Sequence, residues 1–350
     1  MPMLGIMASA RKKTATASTV FATAMNATPW VNAYPFTSGS GYGTKYTSPA
    51  TVTSAASSIT FTFDKTTVAV GWNVSPFVNV YPFASGFGTK YADAASLLAG
   101  TGQGVAFNNA GTVFAASGSS TPYINAYPWS TGGGFGTKYS NPATLPTGLG
   151  KGVIFSADDS TIAIAHGTTP FISVYPFSSG FGTKYANAAT LPTGTGNGVG
   201  FNPAGSAISV AHNVTPYITA YPWSTGGGFG TKYSNPAALP SADGGVATQF
   251  NSAGTDVLLT NDGAGGPYLG VYPFSSGFGT RYTNAVGGPG NQTYGGSWSA
   301  TGSDIGVTLG ASPYIYAWPF TSGTGYGTIY SNPATLPTGP GTTAQGVDFN

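Results

Sequence analysis

The chain's only two imidazoles are His166 and His212, and they fall at the same place in consecutive copies of a repeated segment. A histidine can act as a general base or a metal ligand, so the pair is the first place to look for chemistry. A nucleophilic triad needs one histidine singled out beside a serine and an acid, and two in equivalent loops single out neither. A metal site needs further ligands, yet Trp72 and Gly118 stand at that point in the two preceding copies, and the chain has no cysteine. The plainer reading of both is a loop or core histidine. Glycoside hydrolysis needs paired carboxylates. The nine acidic residues, all Asp, are scattered, and Asp158-Asp159 reads as a turn, where Asp is expected anyway. A glycine-rich stretch ending in Lys138 invites a phosphate-loop reading, but Thr137 separates Gly136 from the lysine and a strand follows. It reads as a hairpin turn. The sequence predicts no enzyme, no cofactor and no metal.

Other candidates recur with the repeat. A basic residue stands at Lys45, Lys90, Lys138, Lys184, Lys232 and Arg281, with Ile329 the exception. On a ring these would form a set of cations near one rim, a weak docking surface for an acidic partner. The bland alternative is edge-strand lysines that block sheet-to-sheet aggregation. Aromatics occupy the same turns at Tyr42, Phe87, Phe135, Phe181, Phe229, Phe278 and Tyr326. They read either as packing between neighbouring units or as an exposed rim suited to stacking on sugars or to a protein interface. Trp72 with Asn73, and Asn213, share the rim of His166 and His212 and are the expected contacts if that face binds sugar.

The repeat itself sets the architecture. A phrase of proline, aromatic, then aromatic-proline-aromatic begins at Pro29, Pro76, Pro122, Pro170, Pro216, Pro267 and Pro313, roughly 47 residues apart, the period of a four-stranded propeller blade. In one copy, Gly198 to Asn202 is a short apolar strand. Ser206 to His212 alternates with period two, and Tyr217 to Trp223 is a third strand. A glycine-rich turn follows to Gly230, with a fourth strand around Thr231-Lys232-Tyr233. In the first copy the fourth strand is expected around Thr44 to Tyr46. Pro222 inside the third strand predicts a strand end or a bulge. Copies two, four and six have short third-to-fourth turns and the others longer ones, as if a two-blade unit had been duplicated. The first copy lacks its own GVxFN strand, while the last five residues, Gly346 to Asn350, read GVDFN with no blade after them. Pairing them beside Val20 would close the ring and remove two exposed edges. The predicted fold is therefore all-β, a seven-bladed β-propeller over residues 18–350, preceded by an arm at 1–17.

Composition supports this and excludes several functions. Charged residues are 6 % of the chain, aromatics 14 %, and there are 54 Gly and 26 Pro, a balance that favours strands and turns over helices. A net charge of +2 is too small for phosphate neutralisation to drive nucleic-acid binding. No apolar stretch approaches the length of a membrane-spanning helix. The apolar start is too short for a secretory leader, and Arg11, Lys12 and Lys13 follow it instead of preceding it. The arm reads equally as a disordered tail or as a segment that docks into a neighbouring subunit.

The order of GVxFN strand, turn with Ala-Gly, apolar strand and Tyr-Pro-aromatic strand resembles the WD-repeat propellers. Phe155-Ser156-Ala157-Asp158-Asp159 is similar to their FSPDG turn, although the Gly-His and Trp-Asp signatures are absent. The Tyr-Pro-Phe/Trp and GFGTKY phrases also resemble repeats in structural proteins of tailed bacteriophages. That resemblance implies a non-enzymatic virion component, such as a tail, fibre or capsid-decorating protein. It would contact other virion proteins, with residues 1–17 as the candidate docking segment, and host-surface glycans. The alternative expectation is a secreted, carbohydrate-binding propeller lectin.

Overall fold

The computed structural model describes residues 19–50, 54–239, 244–337 and 344–349; the expected arm at 1–17 lies outside them. Seven antiparallel sheets are arranged so that the first strand of each touches the first strand of the next. These inner strands are Ala344–Phe349, Ala56–Phe61, Gly102–Phe107, Gly150–Phe155, Gly196–Phe201, Gly245–Phe250 and Thr293–Trp298. The circuit of contacts closes on itself, giving the seven-bladed β-propeller that the repeats predict. The first blade is assembled from both ends of the chain. Ala344–Phe349 lies antiparallel to Thr19–Met25, pairing Phe21 with Phe349 and Thr23 with Val347.

A four-stranded sheet of this size has two faces and cannot bury both by itself. The apolar residues therefore cluster at the seams between blades, one cluster per seam. The innermost position is taken by valine, isoleucine and phenylalanine of the first strands, such as Val105, Val153, Phe107 and Phe155, all essentially unexposed. Edge-to-face aromatic pairs join the blades further out. In every blade the tyrosine that follows the recurrent basic position reaches the third strand of the next blade. Tyr46 meets Phe83, Tyr91 Trp129, Tyr139 Phe177, Tyr185 Trp223, Tyr233 Phe274, Tyr282 Phe320 and Tyr330 Phe36, with ring centroids 5.0 to 5.5 Å apart. Each pair adds about 1 kcal/mol beyond its buried area, so the set is a sizeable part of what holds the ring together.

The outer strand differs from expectation. It lies at Gly228–Phe229 and Gly41–Tyr42, upstream of the segments around Thr231-Lys232-Tyr233 and Thr44–Tyr46. The long-turn blades have such a two-residue strand. In blades two, four and six it shrinks to a single bridge, as between Phe83 and Phe87. Pro222 explains why the ladder ends there. It sits within the third strand, Ile218–Ser224, opposite Ala207 without a bulge. Its carbonyl accepts from Gly230 N at 2.8 Å on the outer side. In a strand the N–H and C=O of one residue point the same way, so the missing N–H is lost from the outer edge, where proline is tolerated, and the inner ladder keeps all its bonds. Gly230 packs on the proline ring: an added Cβ would lie 2.9 Å from Pro222 Cβ. Gly230→Ala is expected to cost about 1–3 kcal/mol through this overpacking, read as a lowered denaturant midpoint at unchanged slope. An unchanged midpoint would show that the turn yields freely.

Candidate functional site

The end of the ring where second strands finish carries the histidines. The inner strands begin there with a register shift in every blade. A bulge re-aims the side chain it carries, and in successive blades the second residue of the inner strand is Ser57, Gln103, Lys151, Asn197, Val246 and Tyr294. Several of these reach around the ring to the next blade. The Ser57 hydroxyl donates to Gly102 O. Lys151 Nζ donates to Asn197 Oδ1 at 2.9 Å, and Asn197 Nδ2 to Gly245 O at 2.8 Å. Burial pushes the Lys151 amine below the ordinary lysine range, opposed by Asp262, which also raises the Tyr294 phenol together with burial. Lys151, Asn197, Asp262 and Tyr294 thus interact around the ring from blade four to blade seven. The approach of blades is tight here: a Cβ on Gly196 would lie 2.2 Å from the carbonyl of Phe171 in the preceding turn, so only glycine fits.

His166 and His212 are the last residues of their second strands, opposite Gly150 and Gly196, and both are fully buried. His166 Nε2 lies 3.0 Å from Ser173 Oγ and His212 Nε2 2.9 Å from Thr219 Oγ1, each within its own blade. Burial drives both pKa values down to about 4; the backbone at Thr168 and Val214 partly opposes it, and Lys184 and Lys232 add to it. The rings are neutral at pH 7. Trp72 takes the same position in blade two at 2 % exposure. With its amide oriented to satisfy its neighbours, Asn79 accepts from Trp72 Nε1 at 3.2 Å. Asn73 is half-buried and Asn213 exposed on this rim. Among the described residues no three His, Cys, Asp or Glu side chains gather as a metal site would need.

The recurrent lysines are half-buried and tethered. Lys90 pairs with Asp93; Lys138, Lys184 and Lys232 donate to Asn141, Asn187 and Asn235; Lys45 donates to Asn32 Oδ1 at 2.8 Å. Arg281 differs: its Nη1 is buried without a hydrogen-bond partner. The half-buried rings of Phe87, Phe135, Phe181, Phe229 and Phe278 stand edge-to-face on third-strand aromatics of their own blades, at 5.0 to 5.4 Å. These rings also pack against the apolar clusters that span the seams, as the packing reading expected; the edge-to-face pair across each seam comes from the tyrosine beside the recurrent basic position, which motif reading passed over. Its signal was present, since the tyrosine recurs even where Ile329 replaces the cation. Lys151 was also missed. It lies outside the repeated GTK phrase, and nothing local marks it as approaching Asn197 and Asp262.

No family model matches the chain, and no curated protein matches its sequence. Solved structures do match. The chain is similar to a protein from Lactobacillus plantarum at 12 % identity and a TM-score of 0.72, covering 95 % of this chain and 100 % of that one. It is also similar to a chain of the mitotic checkpoint complex, at 13 % identity and a TM-score of 0.63 over 94 % and 88 % of the two chains. The Swd1 β-propeller domain of Myceliophteria thermophila matches at 8 % identity and 0.56 over 80 % and 88 %. The fold is that of a seven-bladed β-propeller of WD-repeat type. At these identities the likeness is one of fold alone.

Proposed function

We propose that this protein is a non-catalytic binding scaffold of a bacteriophage-type virion, docking on other virion proteins and displaying its rim loops towards a host surface. The observation that carries this reading is the closed ring itself. Seven seams and a shared first blade hold near-identical loops in fixed positions, an arrangement in which avidity multiplies weak single contacts. The Tyr-Pro-aromatic and GFGTKY phrases support the virion assignment through their resemblance to tailed-phage structural proteins. The tethered cations give one rim a sparse positive pattern suited to an acidic partner surface.

The test is to fractionate lysates of the producing cells on a density gradient and follow the chain by mass spectrometry. It is expected to sediment with capsid and tail proteins; recovery only among unassembled proteins would count against the reading. The triple charge reversal Lys138→Glu, Lys184→Glu and Lys232→Glu is expected to lower incorporation at least tenfold without changing the melting temperature by more than a few degrees. Unchanged incorporation would dispose of a docking role for the cations. A glycan-binding lectin is a second reading, favoured by one groove of about 350 Å³ beside the first blade's outer segment, lined by Thr47, Ser85, Gly86 and Phe87. Hydroxyls beside a half-exposed ring suit a sugar face. Strong signals from the isolated protein on a glycan array, without any particle association, would favour it over the first.

A further inference from the structure

Between blades, the chain runs as a linker from the tyrosine that reaches the next blade to the next inner strand. Seven positions past that tyrosine the linker buries an apolar residue at four seams: Leu98, Pro146, Pro192 and Pro337. Two positions earlier its carbonyl is tied down by a hydroxyl of the next blade's third strand. Tyr127 donates to Ser96 O at 2.8 Å, Tyr175 to Thr144 O at 2.8 Å and Tyr221 to Thr190 O at 2.7 Å. Tyr272 and Tyr34 make the same bond to Ala238 O and Thr335 O, each at 3.0 Å. Between tether and plug stands a leucine, as at Leu145 and Leu191.

The seam between blades six and seven lacks both tether and leucine. Blade seven has Trp318 in place of the tyrosine, and its Nε1 has no hydrogen-bond partner among the described residues. Gly287 and Gly288 stand where the other linkers carry the tethered residue and the leucine. This linker folds on itself instead. Gly288 N donates to Ala285 O at 2.9 Å, with Gly287 at φ +68°, a conformation suited to glycine. A Cβ on Gly288 would lie 2.7 Å from that same carbonyl, so a leucine fits only if the turn opens. Pro289, in the plug position, is half-exposed, and Val286 is 86 % exposed. A cavity of about 210 Å³ remains, its walls including Pro267, Tyr268, Leu269, Ala285 and Pro289. Its counterpart between blades two and three, where Leu98 is seated, is about 10 Å³.

An unfilled gap forfeits the packing contacts of its lining, and the other seams show what fills such a gap. At three of them it is a Leu-Pro pair, with the leucine half-buried and the proline buried: Leu145-Pro146, Leu191-Pro192 and Leu336-Pro337. We propose that the cleft between blades six and seven docks a Leu-Pro segment of a partner protein, seated in trans as the other linkers seat their own. The volume suits one apolar side chain, since a cavity of about 150 Å³ holds benzene. No charged side chain lines the cleft, so its chemistry selects an apolar occupant. A proline in the incoming segment limits the entropy lost on docking. Val286, next to Ala285 of the cavity wall, adds exposed apolar surface for the partner to cover. This surface is separate from the rim cations and does not require the ring to belong to a virion.

The probe is the chain's own plug, a labelled peptide Ala-Thr-Leu-Pro-Thr-Gly copied from residues 143–148, titrated with the full chain and followed by fluorescence anisotropy. Saturable binding to one site is expected. A peptide with glycine in place of the leucine should bind roughly tenfold more weakly or worse. Ala285→Phe places a ring at the cavity wall and should abolish binding while the melting temperature holds. A combined variant, Val286→Ala, Gly287→Thr, Gly288→Leu, Gly290→Thr and Trp318→Tyr, rebuilds the linker and tether found between blades four and five. It should also abolish binding and melt no lower than the parent. The proposal falls if the peptide fails to bind at millimolar concentration or if the glycine peptide binds as tightly. It falls too if either variant, folded, keeps the parent's affinity. Self-association of the ring that Ala285→Phe removes would make a second copy the occupant and overturn it as well.

Discussion

Deleting residues 344–350 is expected to abolish cooperative unfolding, although these residues make up only one strand of one blade. Without them the Thr19–Met25 strand loses its inner neighbour, and the inner strands Ala56–Phe61 and Thr293–Trp298 each lose a contact across the closure. Phe349 is the anchor. Its ring stands 4.6 Å from that of Phe36 and 5.2 Å from that of Phe21, and it is 1 % exposed. Phe349→Ala alone should cost about 3–5 kcal/mol, because a cavity at the closure cannot collapse without pulling blade one away from its neighbours. A gain-of-function control separates closure from mere loss of mass. In blade five, residues 202–206 join the inner strand to the second strand as a hairpin. Joining Asn350 to Thr19 through a copy of that turn, with new termini opened inside the original one, should give a permutant lacking 1–18 that folds with the native melting temperature or a higher one. An unfolded permutant, or a truncated chain that still melts in one sharp transition, would contradict closure as the source of cooperativity.

Acid is the second large lever. The pKa of His166 and of His212 lies near 4 in the folded ring, against 6.5 for the free side chain. Protons therefore favour the unfolded chain between these values. The stability contributed by burying two neutral imidazoles is fully present above pH 6.5 and is lost as the pH falls towards 4. Each histidine accounts for about 3 kcal/mol over that window, so unfolding free energy should drop by about 5 kcal/mol between pH 7 and pH 4.5. Asp64 and Asp158 contribute separately. Hydrogen bonds from Thr62 and Thr66, and from Ser156 and Ser160, outweigh burial and hold their carboxyls below the usual range, and that contribution goes only below about pH 4. Denaturant titrations of a His166→Gln, His212→Gln double variant should show the slope between pH 6.5 and 4.5 largely flattened. A slope as steep as in the unchanged protein would remove the histidines as its cause.

The two predictions draw on different parts of what could be read beforehand. The closure was legible because a missing first strand and an orphan GVDFN segment at opposite ends of the chain have only one economical pairing. The alternation of long and short turns, read as duplication of a two-blade unit, coincides in the structure with which blades keep a two-residue outer strand. The position of that strand was not legible. Motif reading expected a strand end or a bulge at the proline of the third strand, whereas Pro222 lies in register without a bulge and its missing N–H faces the outer edge, where the ladder ends. The candidate site residues were found as repeats, and repetition marks what every blade needs. What differs between blades stands outside the pattern: Lys151 approaching Asn197, and the cavity left where Ala285 and Pro289 stand off beside Tyr326.

Periodicity, turn chemistry and the split blade were enough to set the blade count, the strand order and the circular closure. Each of these follows from local patterns and from the need to pair every strand edge. Only the tertiary structure decided which tyrosines clasp neighbouring blades, that the two histidines are sealed and neutral, and that the seam between blades six and seven keeps a cavity. Those outcomes depend on side chains from different blades meeting at a shared face. Whether that face is filled is a matter of volumes that no single repeat contains.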